Sequence, residues 1–132
     1  MIFPDWLPVF GDKNYRGNCI SEDAVHVAFC AWVMHNYPDI YEIMIHPKNE
    51  GKRTHQQVAL DKKMRSIAPG ASDIIIPGNP SLTMEIKLQD HTKSHWQPDQ
   101  VDYLQRSMSR GSFSCVALGL DGCKAAFSAW LK

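Results

Sequence analysis

The segment that most restricts how this chain folds is Leu82-Thr83-Met84-Glu85-Ile86-Lys87-Leu88. Its aliphatic residues recur at every second position, the period of an extended strand. Leu82, Met84, Ile86 and Leu88 therefore share one face, while Thr83, Glu85 and Lys87 share the other. A carboxylate and an ammonium are set side by side in a strand otherwise suited to a core. Burying charge is costly unless it is paired or bound to a metal, so this face requires a partner of one kind or the other.

Asp73 supplies a second acid. It opens the apolar segment Asp73 to Ile76, and the turn Pro77-Gly78-Asn79-Pro80 folds that segment back on Leu82 to Leu88 as a hairpin. The carboxylates of Asp73 and Glu85 then converge, and convergent hard oxygens suit Mg²⁺ or Mn²⁺. In phosphodiester cleavage such an ion polarises a phosphoryl oxygen and acidifies a bound water, while a nearby lysine orients that water or stabilises the extra charge. The alternative is a structural ion pair among Asp73, Glu85 and Lys87, which a Glu-x-Lys triplet alone does not exclude. Two neighbours favour the chemical reading: Gly70-Ala71-Ser72, a glycine-led approach to Asp73, and Gln100, at the start of a later helix.

The remaining sequence reads as one α/β domain over 1–132, with no internal repeat, low-complexity tract or linker. Residues 1–20 carry Pro4, Pro8, Gly11 and Gly17 and are expected to form an irregular arm whose Trp6, Leu7 and Phe10 pack on the body. Ser21 caps a helix in which Val25, Ala28, Phe29, Trp32 and Val33 recur at helical spacing until Tyr37-Pro38. Glu22, in its first turn beside Asp23, emerges at the edge of the core-facing stripe, where it serves either a site or the helix dipole. A strand is expected over Ile40 to Ile45, then a polar loop, then a helix from Thr54 to Ile67 that buries Leu60, Met64 and Ile67. Pro98 opens a third helix with Val101, Leu104 and Met108 on one face. A strand from Phe113 to Leu118 and a helical piece from Lys124 to Leu131 follow.

Charge and composition narrow the function classes. At 132 residues, 44% of them hydrophobic, the chain suits one core. A formal net charge of zero argues against a protein that coats a polyanion through a uniform field. Between His46 and Arg65, however, Lys48, Lys52, Arg53, Lys62, Lys63 and Arg65 face only Glu50 and Asp61, which makes either a phosphate-facing edge or a solvated surface. There is no charged-then-apolar leader and no apolar run approaching the roughly 18 residues of a membrane span, so a cytoplasmic location is expected. Cys19, Cys30, Cys115 and Cys123 form no zinc-like spacing and read as reduced, partly buried thiols.

The six histidines also lack paired ligand spacing and read mostly as surface or packing residues, although His46, heading the basic loop, is a candidate phosphate contact. The segment His91-Thr92-Lys93-Ser94-His95-Trp96 has the polar, aromatic and basic character of a nucleic-acid-contacting loop, or is an ordinary exposed connection. Trp32 and Trp130 lie on helical apolar faces and suit a core or a subunit interface.

Taken together, Gly70-Ala71-Ser72-Asp73-Ile74-Ile75-Ile76-Pro77, Met84-Glu85-Ile86-Lys87 and Gln97-Pro98-Asp99-Gln100 resemble the VRR-NUC branch of the PD-(D/E)xK nuclease superfamily. The pattern shared is Gly-x-x-Asp, Glu-x-Lys and Pro-x-Gln. The stretch His46 to Arg53 is also similar to the family's loop before its second helix, so the resemblance spans roughly Ser21 to Leu118. It implies a restriction-endonuclease-like core, a central mixed β-sheet flanked by helices. It further implies one or two ions of Mg²⁺ or Mn²⁺ held by Asp73, Glu85 and the backbone carbonyl of Ile86, with Glu22 completing the acidic site. Lys87 would then assist the water and Gln100 would orient groups near the metal or phosphate. Candidate nucleic-acid contacts are Lys48, Lys52, Arg53, Lys93 and His46.

Stand-alone members of that family look like resolvases of four-way DNA junctions that act as homodimers, a symmetry suited to a near-two-fold substrate. The expected activity is thus a metal-dependent, structure-selective DNA endonuclease, a Holliday junction resolvase of phage or mobile-element type. Two other readings stay open: a nicking or restriction-like nuclease working with a helicase, and a non-catalytic DNA-binding module of the same fold.

Overall fold

A computed structural model describes residues 1–47, 55–65 and 67–132. The arm is not wholly irregular, because Val9–Phe10 forms a short strand, β1. Ser21 then caps as its position suggested: its backbone is extended, its hydroxyl accepts the Ala24 N–H at 3.0 Å, and α1 (Glu22–Asn36) follows. Helix α1 buries Val25, Phe29 and Val33.

The strand expected over Ile40 to Ile45 is a helical turn instead. Pro38, with its fixed φ, sits at the first helical position and opens α2 (Pro38–Tyr41). Ile40 and Met44, four residues apart, pack on the core, whereas Ile43 and Ile45 are exposed. Only Ile45 has strand character, in a single bridge whose two bonds to Ile75 are 2.8 and 2.9 Å long.

Helix α3 (His55–Met64) forms within the expected range, yet Leu60 and Met64 are 54% and 62% exposed rather than buried. The reason is that both faces of the sheet are already filled by other elements. Ile67, beyond the helix, is partly buried. Thr54, the expected start, lies outside the described residues.

The hairpin is present: β2 (Ile74–Ile76) pairs antiparallel with β3 (Leu82–Lys87), matching Ile74 to Met84 and Ile76 to Leu82. After a short 3₁₀ turn at His91–Lys93 comes α4 (Gln100–Ser109), preceded by Pro98 rather than containing it. Strand β4 (Phe113–Leu118) then runs parallel to β3 on one side and to β1 on the other, giving the order β1-β4-β3-β2. Helix α5 (Gly119–Leu131) starts earlier than Lys124. Gly122 permits α5 to cross close to β1, since a Cβ there would lie 2.6 Å from the Phe10 carbonyl oxygen.

Alternation along the strands divides the packing. Leu82, Met84, Ile86, Cys115 and Ala117 face α1 and α5, joining Val25, Phe29, Val33, Ala126 and Phe127 in the larger core. Val116 and Leu118 face the other way, toward Leu104 of α4 and Leu7, Trp6 and Phe3 of the arm. Each fully buried side chain of this size contributes about 1.5–3 kcal/mol. All four cysteines are free thiols, with Cys115 and Cys123 buried. Among the described residues, no helix is long and apolar enough to cross a membrane.

Candidate active site

The charged face of β3 lies on the smaller-core side, under the start of α4. All six residues of β3 are buried, and Glu85 and Lys87 are each only 2% exposed. Continuing the β2–β3 register by one residue sets Asp73 opposite Glu85. Asp73 is held there by its own carboxylate, whose Oδ2 accepts the Ile86 N–H at 2.8 Å.

Gln100 ties the strand to the helix. Its Nε2 donates to Glu85 Oε1 at 2.8 Å, while its Oε1 accepts from Lys87 Nζ at 2.9 Å and from the Gln97 N–H at 2.9 Å. Lys87 also donates to the His95 carbonyl at 2.7 Å and stands 4.0 Å from Glu85 Oε1. The buried pair is thus only partly satisfied, with two bonded N–H groups on Lys87 and one bonded oxygen on Glu85.

Gly70 and Asp99 explain how separate motifs meet. Gly70 has φ +76°, and a Cβ there would sit 2.3 Å from the Asp99 carbonyl oxygen. Asp99 itself has φ 72°, in the turn that delivers Gln100. A glycine at this position lets the approach to Asp73 press against the entrance of α4.

Glu22 comes to the same region from α1. Its Oε2 accepts from Ser94 Oγ at 2.9 Å, and Ser94 Oγ in turn accepts the Leu88 N–H at 2.9 Å. A cavity of about 440 Å³ opens over Glu22, Gly70, Lys87, Ser94 and Gln100. A shallower one of about 640 Å³ adjoins it, sharing Glu22 and Lys93 and lined also by Asp23. Glu22, Lys87 and Gln100 line the smaller cavity, and Glu85 adjoins it through its hydrogen bond to Gln100.

Electrostatics mark Glu85 as the unusual group. Burial first, and the neighbouring Asp73 charge second, push its carboxyl well above the ordinary value of 4.5, with Lys87 pulling the other way and Glu22 adding to the rise. Its Oε2 is buried and meets no hydrogen-bond donor, and a carboxyl–carboxyl hydrogen bond with Asp73 adds to the rise. A hard cation fits this oxygen, because Mg²⁺ commonly takes one or two carboxylates and keeps waters for its other positions. Asp73 Oδ1, the adjacent Ile86 carbonyl and Glu85 Oε2 are the candidate donors. Among the described residues, no three His, Cys, Asp or Glu side chains gather as a metal-holding cluster, so Glu22 stands beside this pair rather than within it.

Of the candidate nucleic-acid contacts, Lys48, Lys52 and Arg53 lie outside the described residues. His46 is exposed, and its ring Nδ1 donates to the Asp73 carbonyl at 2.8 Å. His26 packs against it with ring centroids 4.0 Å apart, a neighbour that its isolated sequence position did not announce. Burial, then the His46 ring, lowers the pKa of His26, with Asp73 and Asp23 opposing. Lys93 lines both cavities and donates to the Gly17 carbonyl at 2.8 Å.

The His91–Trp96 segment is exposed at Thr92, Lys93 and His95 and bonded into the protein through its other residues. His91 is 8% exposed and donates from Nε2 to the Lys13 carbonyl, and Trp96 Nε1 donates to the Ile2 carbonyl at 2.9 Å. The sequence names Ser94 and His95 only as part of that loop, with no role of their own, and the His95 contribution is a backbone carbonyl that no residue type signals. Trp32 and Trp130 do pack in the larger core, both against Phe127.

No family profile matches the sequence, and no curated protein matches it. Among solved structures, a VRR-NUC domain protein superposes with a TM-score of 0.67 at 20% identity, over 89% of this chain and 91% of its own. The four-stranded mixed sheet with helices on both faces is therefore the restriction-endonuclease-like fold, shared with that VRR-NUC domain protein.

Proposed function

We propose that the chain is a nuclease that hydrolyses phosphodiester bonds of DNA with the help of Mg²⁺ or Mn²⁺. The observation that carries this reading is the buried Oε2 of Glu85, which meets no hydrogen-bond donor, beside Asp73 and Lys87. An ion held by Asp73, Glu85 and the Ile86 carbonyl would polarise the phosphoryl oxygen and acidify a bound water.

The protein's own groups divide the remaining work. Lys87 has three N–H bonds, of which His95 O and Gln100 Oε1 take two, so one stays available to an attacking water or a phosphoryl oxygen. Gln100 holds Glu85 and Lys87 in register. Glu22, steadied by Ser94, sets a further negative charge at the cavity edge, and Lys93 and His46 flank the path of a backbone.

The finer reading is a structure-selective endonuclease acting as a homodimer on four-way junctions, in the cytoplasm of a bacterium or as a phage-encoded protein. The exposed Leu60 and Met64, one helical turn apart on α3, offer an apolar strip for a second copy. The test compares junction, flap and linear duplex DNA with Mg²⁺ and Mn²⁺, using Lys87→Ala as control. Cleavage preferring the junction supports the full reading, and preference for nicked or linear duplex selects a nicking or restriction-like enzyme. Intact DNA in every lane leaves a non-catalytic binding module.

A further inference from the structure

We propose that Trp96 is a positioning residue for Lys87, and that the N-terminal arm, through Ile2 and Phe3, fixes Trp96 in that role. The inference rests on the nuclease reading and adds to it Trp96, which directly precedes the Gln97–Gln100 motif, and two residues of the arm.

The Lys87 ammonium lies 5.3 Å from the centroid of the Trp96 ring. An ammonium over an indole face is attracted by the ring quadrupole, most strongly where water is excluded, and Lys87 is nearly fully buried. Its other contacts, His95 O and Gln100 Oε1, restrain the ammonium from two directions, and the ring flanks it while the third N–H stays available. His95 and Trp96 are adjacent in sequence, so whatever fixes Trp96 also fixes the His95 carbonyl.

What fixes Trp96 is the arm. Its indole N–H donates to the Ile2 carbonyl at 2.9 Å, and Phe3 meets the indole edge-on at 6.3 Å. Phe3 also meets the His91 ring at 5.1 Å, so one arm residue braces both ends of the segment. Farther along, Gly17 donates its N–H to Asp90 Oδ2 at 3.0 Å and receives the Lys93 ammonium. The segment 90–96 is thus bonded to the arm on its outer side and to the reactive lysine on its inner side. A one-ångström displacement of a reacting group costs on the order of a hundredfold in rate, so such bracing matters to the chemistry.

The experiment uses the full chain with ¹⁵N-labelled lysine and compares Trp96→Leu, Trp96→Phe and Phe3→Ala with the wild type. In the wild type the Lys87 ammonium gives a slowly exchanging resonance shifted by the indole ring current. Trp96→Leu is expected to move it downfield and speed its exchange, and to lower kcat roughly tenfold with KM changed less than about twofold. Trp96→Phe, which keeps a ring, restores most of both, and Phe3→Ala falls between.

An unchanged resonance and kcat in Trp96→Leu overturn the proposal. So does a loss that Trp96→Phe fails to restore while both variants lose thermal stability alike, since that marks a merely structural role. If Trp96→Leu does not fold, Phe3→Ala decides by the same two readouts. Should the wild type cleave no DNA while the resonance shifts as described, the nuclease reading fails and the positioning stands.

Discussion

The two faces of the sheet are built on opposite terms. The face toward α1 and α5 is filled by aliphatic and aromatic side chains, with Phe29, Phe127, Ile74 and Met84 fully buried. The face toward α4 and the arm buries Val116 and Leu104, yet also Glu85, Lys87 and Gln100. Burial stabilises the first face directly. On the second it raises the free energy of an ionised carboxylate, and the network around Gln100 offsets only part of that. The contrast teaches where stability and chemistry are separated: four strands serve both, and strand alternation keeps them apart.

The largest effect expected from disturbing this division is on activity. Asp73→Asn keeps an oxygen to accept the Ile86 N–H and removes the charge opposing Glu85, so its melting temperature should equal or exceed the wild type's while DNA cleavage falls by about 10³ or more. Full cleavage by this variant would remove Asp73 from the chemistry. On the apolar face, Phe127→Ala should cost about 3–5 kcal/mol in denaturant unfolding, through lost burial and a cavity.

Glu85→Gln sharpens the comparison, because it should abolish cleavage and yet stabilise the metal-free protein. The folded-state pKa of Glu85 is raised above 4.5, so the acid form is favoured by folding below that value and the advantage is lost as pH rises through the folded pKa. Wild type and variant should therefore unfold alike near pH 4 and diverge above it, the variant melting higher. Equal stability at pH 8 would contradict the strained carboxylate.

The smallest effect is local to the arm. Hydrogen bonds from the Thr92 hydroxyl, then from the Gly17 N–H, hold Asp90 down to about 2 from its ordinary 3.8. Its contribution to the arm's docking is present above pH 3.8 and lost as pH falls toward 2. The Gly17 amide resonance should titrate near the lower value, and titration near the ordinary one would detach the arm from this anchor.

Much of this was readable because it rests on periodicity and caps. The period of two at Leu82 to Leu88 placed Glu85 and Lys87 on one face, and Ser21 with its apolar stripe gave α1. The hairpin turn gave the approach of Asp73. Residues 40–45 misled because a short aliphatic run suits a strand or a helical turn, and Pro38 decided for the turn. Leu60 and Met64 misled because a helical stripe does not say whether anything is left to cover it. In the site, side chains with distinctive chemistry were found, whereas the His95 carbonyl and the Trp96 ring depend on how residues 1–17 wrap the segment. That is a tertiary arrangement with no local signal.

The proposed activity depends on Asp73 and Glu85 together holding a divalent cation. This is tested most directly by anomalous diffraction from crystals soaked in Mn²⁺. The Mn²⁺ peak is expected between Glu85 Oε2 and the Asp73 carboxylate, beside the Ile86 carbonyl, and should be absent in Asp73→Asn. A peak elsewhere, or none at saturating Mn²⁺, would contradict it.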